Sequence, residues 1–170
     1  PKIDYSVFGV NTELFREIYR DAEEEKPWDA PTPRGNAVTS TAYVNASHGL
    51  NKVTGKSHTG YVIFVNRAPI LWYSKRQQTL ESSAFSSKFI ALRTCIESIR
   101  GLRYKLRMFG VPIYDNEPTY IFCDNEAVVK NCSNVSSVLN KKHSSLAYNA
   151  ARWSVAAGET VLGWINTAFN

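Results

Sequence analysis

Long apolar runs are absent from this chain, as are an internal repeat, a recognisable secretory leader and the ligand spacings of a zinc site. Without an apolar run of about 18 residues, neither a membrane partner nor secretion is expected. Cysteine is scarce. Cys95, Cys123 and Cys132 are odd in number and match no metal spacing. Cys95 and Cys123 lie in apolar patterns and read as buried free thiols, which points to a reducing intracellular compartment, cytoplasm or nucleus. His48, His58 and His143 lack the regular short spacing of a His/Cys metal site and read as polar loop residues. Ser82, Ser83, Ser86 and Ser87 have no base near them in sequence, so a nucleophilic serine is not expected.

What is present is an ordinary globular composition. The chain has 170 residues, 44% hydrophobic and 21% charged, enough for one domain with a real core and a small appendage. It begins with proline rather than methionine, as a processed chain or a segment of a longer one does. The net charge of +5 is unevenly spread. Residues 1–34 carry five Lys/Arg against eight Asp/Glu, and residues 35–170 carry fifteen against seven. A basic body favours polyanions, of which nucleic acid is the usual one; the bland alternative is a solvated basic surface.

Residues 11–25 read as a short helix capped by Asn11 or Thr12, with Leu14, Phe15, Ile18 and Tyr19 on one face. Its end, Glu23-Glu24-Glu25, reads as a solvated tail. Residues 26–37 hold three prolines and a glycine and read as a linker. Trp28 is a candidate to pin the appendage, while Trp72, Trp153 and Trp164 read as core. Strands are expected over residues 38–46, 59–65 and 70–74, joined as an antiparallel meander. A long amphipathic helix follows over 82–109, with a possible kink at Gly101, and Gly110-Val111-Pro112 stops it. A strand over 119–123 ends in Asp124 and passes into a short helix from Asn125. Another helix spans 141–157, stopped by Gly158, and a last strand spans 161–165.

An apolar strand that delivers an aspartate to its C-terminal tip puts a carboxylate where α/β sheets keep their chemistry. Asp124 is there either a metal ligand or the cap of the next helix. The basic candidates for phosphate contact are Lys75, Arg76 and Gln77, between strand and helix, with His48 and Lys56 nearby. Arg100, Arg103 and Arg107 share one helical face and read as its solvated side.

Several blocks, in order, resemble the ribonuclease H domain of a copia-type retrotransposon polyprotein: YVNASH (43–48), KSHTGYVIF (56–64), APILWYSKRQ (68–77), ESSAFSSKFIAL (81–92), GLRYKLRMFGVP (101–112), FCDNEAV (122–128) and KKH (141–143). The resemblance implies an α/β ribonuclease H-like fold: a five-stranded mixed sheet, three antiparallel strands and then a βαβ unit, flanked by helices. It divides the chain into an N-terminal helix and linker, 1–37, and a domain, 38–170, lacking the family's last helix. The implied activity is cleavage of RNA in RNA–DNA hybrids by carboxylates that hold two Mg²⁺ ions.

Position by position, the implied carboxylates are poorly matched. The first-strand aspartate falls at Asn45 and the long-helix glutamate at Lys88. Asp124 matches the fourth-strand aspartate, and the last aspartate falls beyond Asn170. An asparagine in place of aspartate is a common way to silence such a site, but a lysine at 88 is an unusual choice for that purpose and favours natural decay over deliberate silencing. The expectation is a catalytically degenerate module that binds nucleic acid or scaffolds an assembly. It needs no cofactor, and Asp124 is at most a weak metal ligand. An Asp124–Lys88 salt bridge is expected in place of the metal. The alternatives are an active Mg²⁺-dependent ribonuclease H, or a subunit that docks a protein partner.

Overall fold

The computed structural model describes residues 12–114, 117–139 and 144–170. Its order is α1 (Thr12–Ile18), β1 (Ser40–Ser47), β2 (His58–Val65), β3 (Ala68–Arg76), α2 (Ala84–Met108), β4 (Thr119–Cys123), α3 (Glu126–Ser133), α4 (Ser145–Ala156) and β5 (Thr160–Trp164), closed by a 3-10 turn, Thr167–Phe169.

The strands form one sheet in the order β3-β2-β1-β4-β5. β1, β2 and β3 pair antiparallel, and β4 lies parallel to β1 and to β5. The β2–β3 turn is held by Asn66 at φ 55, the one non-glycine residue at positive φ among those described. Asparagine tolerates that region. Its Oδ1 accepts from the Thr39 backbone N–H at 3.1 Å. β3 is an edge strand, which is why it tolerates Pro69.

α2 follows from its sequence period. Phe89, Leu92, Cys95, Ile96 and Ile99 recur at helical spacing and are all buried. Ser83 caps the helix, its side chain accepting from the Ser86 backbone N–H at 3.3 Å. α2 runs unbroken through Gly101. Its buried face meets Ala42, Val44 and Ala46 of β1, Tyr61 and Ile63 of β2, Ile121 of β4 and Leu162 of β5 in one core. α4 joins the same core and stops at Gly158, whose φ of 71 suits a helix C-terminus.

Several expectations need correction. The first helix ends at Ile18 rather than running to residue 25. Glu24 is not solvated: it pairs with Arg103 and Arg107, and the Arg103 side chain is only 2% exposed. Arg100 and Arg107 are also engaged, Arg100 with Glu159 at 2.6 Å. Phe15 is fully buried, with the Arg152 guanidinium 4.9 Å from its ring centre. Burying that ring contributes about 2 kcal/mol. The appendage is thus packed on the body, and Trp28, 93% exposed, is not its pin. Trp72 and Trp164 are 75% and 52% exposed, so neither is core. Trp153 packs at the core's margin. The proposed Asn11 cap, the start of the 141–157 helix and the KKH block lie outside the described residues.

Candidate functional site

The parallel register of β1 and β4 decides which side chains meet at the sheet's tip. Val44 pairs with Cys123, so Asn45 and Asp124 come side by side where the ladder ends. Lys88, early in α2, reaches the same point. Its Nζ donates to Asn45 Oδ1 at 2.8 Å and forms a salt bridge with Asp124 Oδ1. The Lys88 and Asp124 side chains are 12% and 6% exposed. The closing turn lies against the pair: Thr167 Oγ1 donates to Asp124 Oδ2 at 3.4 Å, and Asn170 Nδ2 donates to the Val44 carbonyl at 3.1 Å.

Asp124 does not cap α3. That role falls to Asn125, whose Oδ1 accepts from the Val128 backbone N–H at 3.1 Å. Glu126 is turned to Lys130 one turn on, at 2.7 Å, and supplies nothing to the tip. Cys123, next in line, is pushed up in pKa chiefly by burial, against a lowering from the Asn125 backbone N–H and the Lys88 charge.

This donor set does not fit Mg²⁺. A hard divalent cation needs several oxygen ligands with negative charge among them. Here a single carboxylate is neutralised by an ammonium that also occupies the amide oxygen. No group of three or more His, Cys, Asp or Glu that could hold a metal exists among the described residues.

Behind the tip, His48 Nδ1 lies 2.9 Å from Ser87 Oγ, which lies 2.9 Å from Ser57 Oγ. A base therefore does stand beside a serine, across 39 residues of sequence. Ser87 is fully buried, however, and its hydroxyl donates to the Ser83 carbonyl at 3.1 Å, so it is a structural hydroxyl. His58 opens β2 rather than lying in a loop, and its Nδ1 is buried without a partner. His143 lies outside the described residues.

The basic edge is only partly as expected. Lys75 and Arg76 end β3 and are exposed; His48 is exposed and Lys56 is half-buried. Gln77 does not belong with them. It is 5% exposed, and its Nε2 donates to Thr59 Oγ1 at 3.0 Å and to the Ser87 carbonyl at 2.8 Å. It ties β3 to α2 and cannot reach a phosphate. All three cysteines are buried free thiols. No helix among the described residues is long and apolar enough to cross a membrane.

Three antiparallel strands continued by two parallel ones, with the helices' buried faces gathered in one core, define a ribonuclease H-like fold. Solved structures agree. The chain matches LC11-RNase H1 in complex with an RNA/DNA hybrid at a TM-score of 0.57 and 18% identity, covering 78% of this chain and 88% of that one. It matches RNase H1 from the halophilic archaeon Halobacterium salinarum at 0.55 and 15%, covering 77% and 88%.

In sequence it is similar to the retrovirus-related Pol polyprotein from transposon RE1 of Arabidopsis thaliana, 25% identical over 125 residues, 74% of this chain. The polyprotein from transposon RE2 of the same plant matches equally well. The chain spans 8% of the length of either relative. No protein-family model matches it. In sequence the chain is thus similar to retrotransposon Pol polyproteins, and in fold to ribonuclease H, as the resemblance implied.

Proposed function

We propose that this chain is a catalytically silent ribonuclease H-like domain, of copia-type descent, that holds nucleic acid without cutting it. The observation that carries the reading is the Lys88 ammonium set between Asn45 and Asp124. In the enzymes it resembles, this is the neighbourhood where carboxylates hold metal and metal supplies the nucleophile. An ammonium there meets the charge requirement of Asp124 from within the protein. It cannot bind and acidify a water as a metal does.

Nucleic-acid binding does not need that metal. Lys75, Arg76 and Lys56 stand near the end of the sheet that carries Asp124, and phosphate contacts from lysine and arginine suffice for sequence-independent affinity. One structural neighbour is described in complex with an RNA/DNA hybrid, which makes a hybrid the first substrate to try.

The test is to incubate the chain with a labelled RNA–DNA hybrid and Mg²⁺ or Mn²⁺, beside an Asp124→Ala control. Salt-dependent binding without cleavage is expected in both. Metal-dependent cleavage by the wild type that the control lacks would overturn the reading.

A further inference from the structure

α4 carries a charge on its buried face. Tyr148, Ala151, Arg152 and Val155 recur at helical spacing and all are buried, Arg152 to 3% exposure. A buried guanidinium needs partners for its charge and for its N–H groups. No carboxylate is among them here: the hydrogen bonds it donates, among the described residues, end on neutral oxygens.

Two sets of neighbours take the carboxylate's place. One is the turn after α3. Arg152 Nη1 donates to the carbonyls of Asn134 at 2.9 Å, Asn131 at 3.2 Å and Ser137 at 3.4 Å, and Nη2 donates to that of Val135 at 2.8 Å. The other is aromatic. The ring centres of Phe15, Tyr148 and Tyr19 lie 4.9, 5.0 and 6.0 Å from the guanidinium carbon, within range for cation–π attraction. Phe15 and Tyr19 come from the N-terminal segment. Tyr19 also ties that segment to α4, its hydroxyl donating to Asn149 Oδ1 at 3.1 Å.

One cation thus touches both the N-terminal segment and the turn. With the rings lifted, water reaches the guanidinium and competes with the carbonyls for its N–H groups. With the carbonyls gone, the rings cover an unsatisfied charge. The Asn134 carbonyl also accepts from the Ser137 backbone N–H at 3.1 Å, so the turn's own hydrogen bond ends on an oxygen that Arg152 holds. Arg152 Nε is buried without a partner among the described residues, so this cation has no acceptor to spare.

We infer that Arg152 is a joint that couples docking of the N-terminal segment to the order of residues 131–137, each favouring the other to the same extent. Asn131 lies in the last turn of α3, which begins two residues after Asp124, so the joint stands one helix away from the strand tip. The coupling is built from buried contacts within the chain and is independent of what the protein binds.

Native-state hydrogen exchange on the whole chain tests the joint at the Asn134 and Ser137 amides, which donate to the Lys130 and Asn134 carbonyls. Phe15→Ala should speed both about tenfold, toward the low end of the usual range of couplings. Tyr19→Leu removes the more distant ring, should speed them about threefold, and carries the test if Phe15→Ala does not fold. Simple destabilisation has a different signature: it speeds the core-strand amides that exchange by global unfolding and leaves those that open locally unchanged. In an Arg152→Met background, where the joint is already broken, neither ring substitution should speed the two amides further. Unchanged exchange at Asn134 and Ser137 in whichever ring variant folds would overturn the joint, and so would the same acceleration in the Arg152→Met background.

Discussion

Near its start α2 holds Lys88 against Asp124; about four turns on, it holds Arg103 against Glu24. Both are buried contacts between a cation and a carboxylate, but they differ in construction. Arg103 is fully satisfied. Its Nε and Nη2 donate to the two oxygens of Glu24 at 2.6 and 3.1 Å, its Nη1 donates to the Glu117 carbonyl at 3.0 Å, and Arg107 adds a second cation at 2.7 Å. A planar guanidinium suits such a fork. Lys88 is a single ammonium at the sheet's tip, shared by an amide and a carboxylate. One end of the helix bolts the N-terminal segment to the body. The other sets a cation against Asp124 at the tip of the sheet, where the proposed reading has it stand in for a metal. A buried ion pair therefore has no fixed meaning; the number of partners and the place in the fold decide it.

The largest effect should come from breaking the bolted end. Glu24→Ala leaves Arg103 buried without its counter-ion, at a cost of about 3–5 kcal/mol. Thermal unfolding should shift down by on the order of 10 °C. A loss under about 1 kcal/mol would erase the contrast between the two ends.

Lys88→Met should cost less, about 2 kcal/mol, because Asp124 lies at the tip of the sheet, where water can reach it once the ammonium is gone. Adding Asp124→Asn should recover most of it. Denaturant titration of the four proteins in this cycle measures the coupling directly.

pH sharpens the contrast further. Burial pushes Glu24 upward, but hydrogen bonds and charge from Arg103 and Arg107 outweigh it, so its pKa lies below the ordinary 4.5. Its contribution to stability is present above pH 4.5 and is lost as pH falls through the folded-state value. Glu24→Gln should flatten that acid limb. Glu159 has the opposite sign. Burial, only partly offset by Arg100 and Ser154, holds it above 4.5, so stability drops as pH rises from 4.5 through its folded-state value. Glu159→Gln should remove that decline, a smaller change than either substitution above. Stability followed by denaturant from acid to neutral pH checks both.

The smallest effect belongs to an exposed pair. Glu126 and Lys130 are 60% and 71% exposed, and Glu126→Gln should change stability by less than about 0.5 kcal/mol.

How much of this was legible in the sequence depends on how local the cause is. β4 lies where its apolar run places it, because the run begins and ends within a few residues. The Lys88–Asp124 salt bridge was legible through resemblance, which put both residues at one tip. The Glu24–Arg103 pair was not. A glutamate run and an arginine-bearing helix face both look solvated until a contact across 79 residues joins them. Trp72 was misread because an apolar strand has two faces, and only tertiary packing decides which one is covered. Gln77 was misread for a related reason: its neighbours Lys75 and Arg76 point to a surface, whereas its own amide is held between Thr59 and α2.

The central claim is that Lys88 stands in place of a metal ion, and calorimetric titration with Mn²⁺ tests it most directly. Wild type should show no saturable binding at millimolar metal, and Asn45→Asp/Lys88→Glu, which rebuilds three carboxylates around one point, should bind. Saturable binding by the wild type that Asp124→Ala abolishes would contradict the claim.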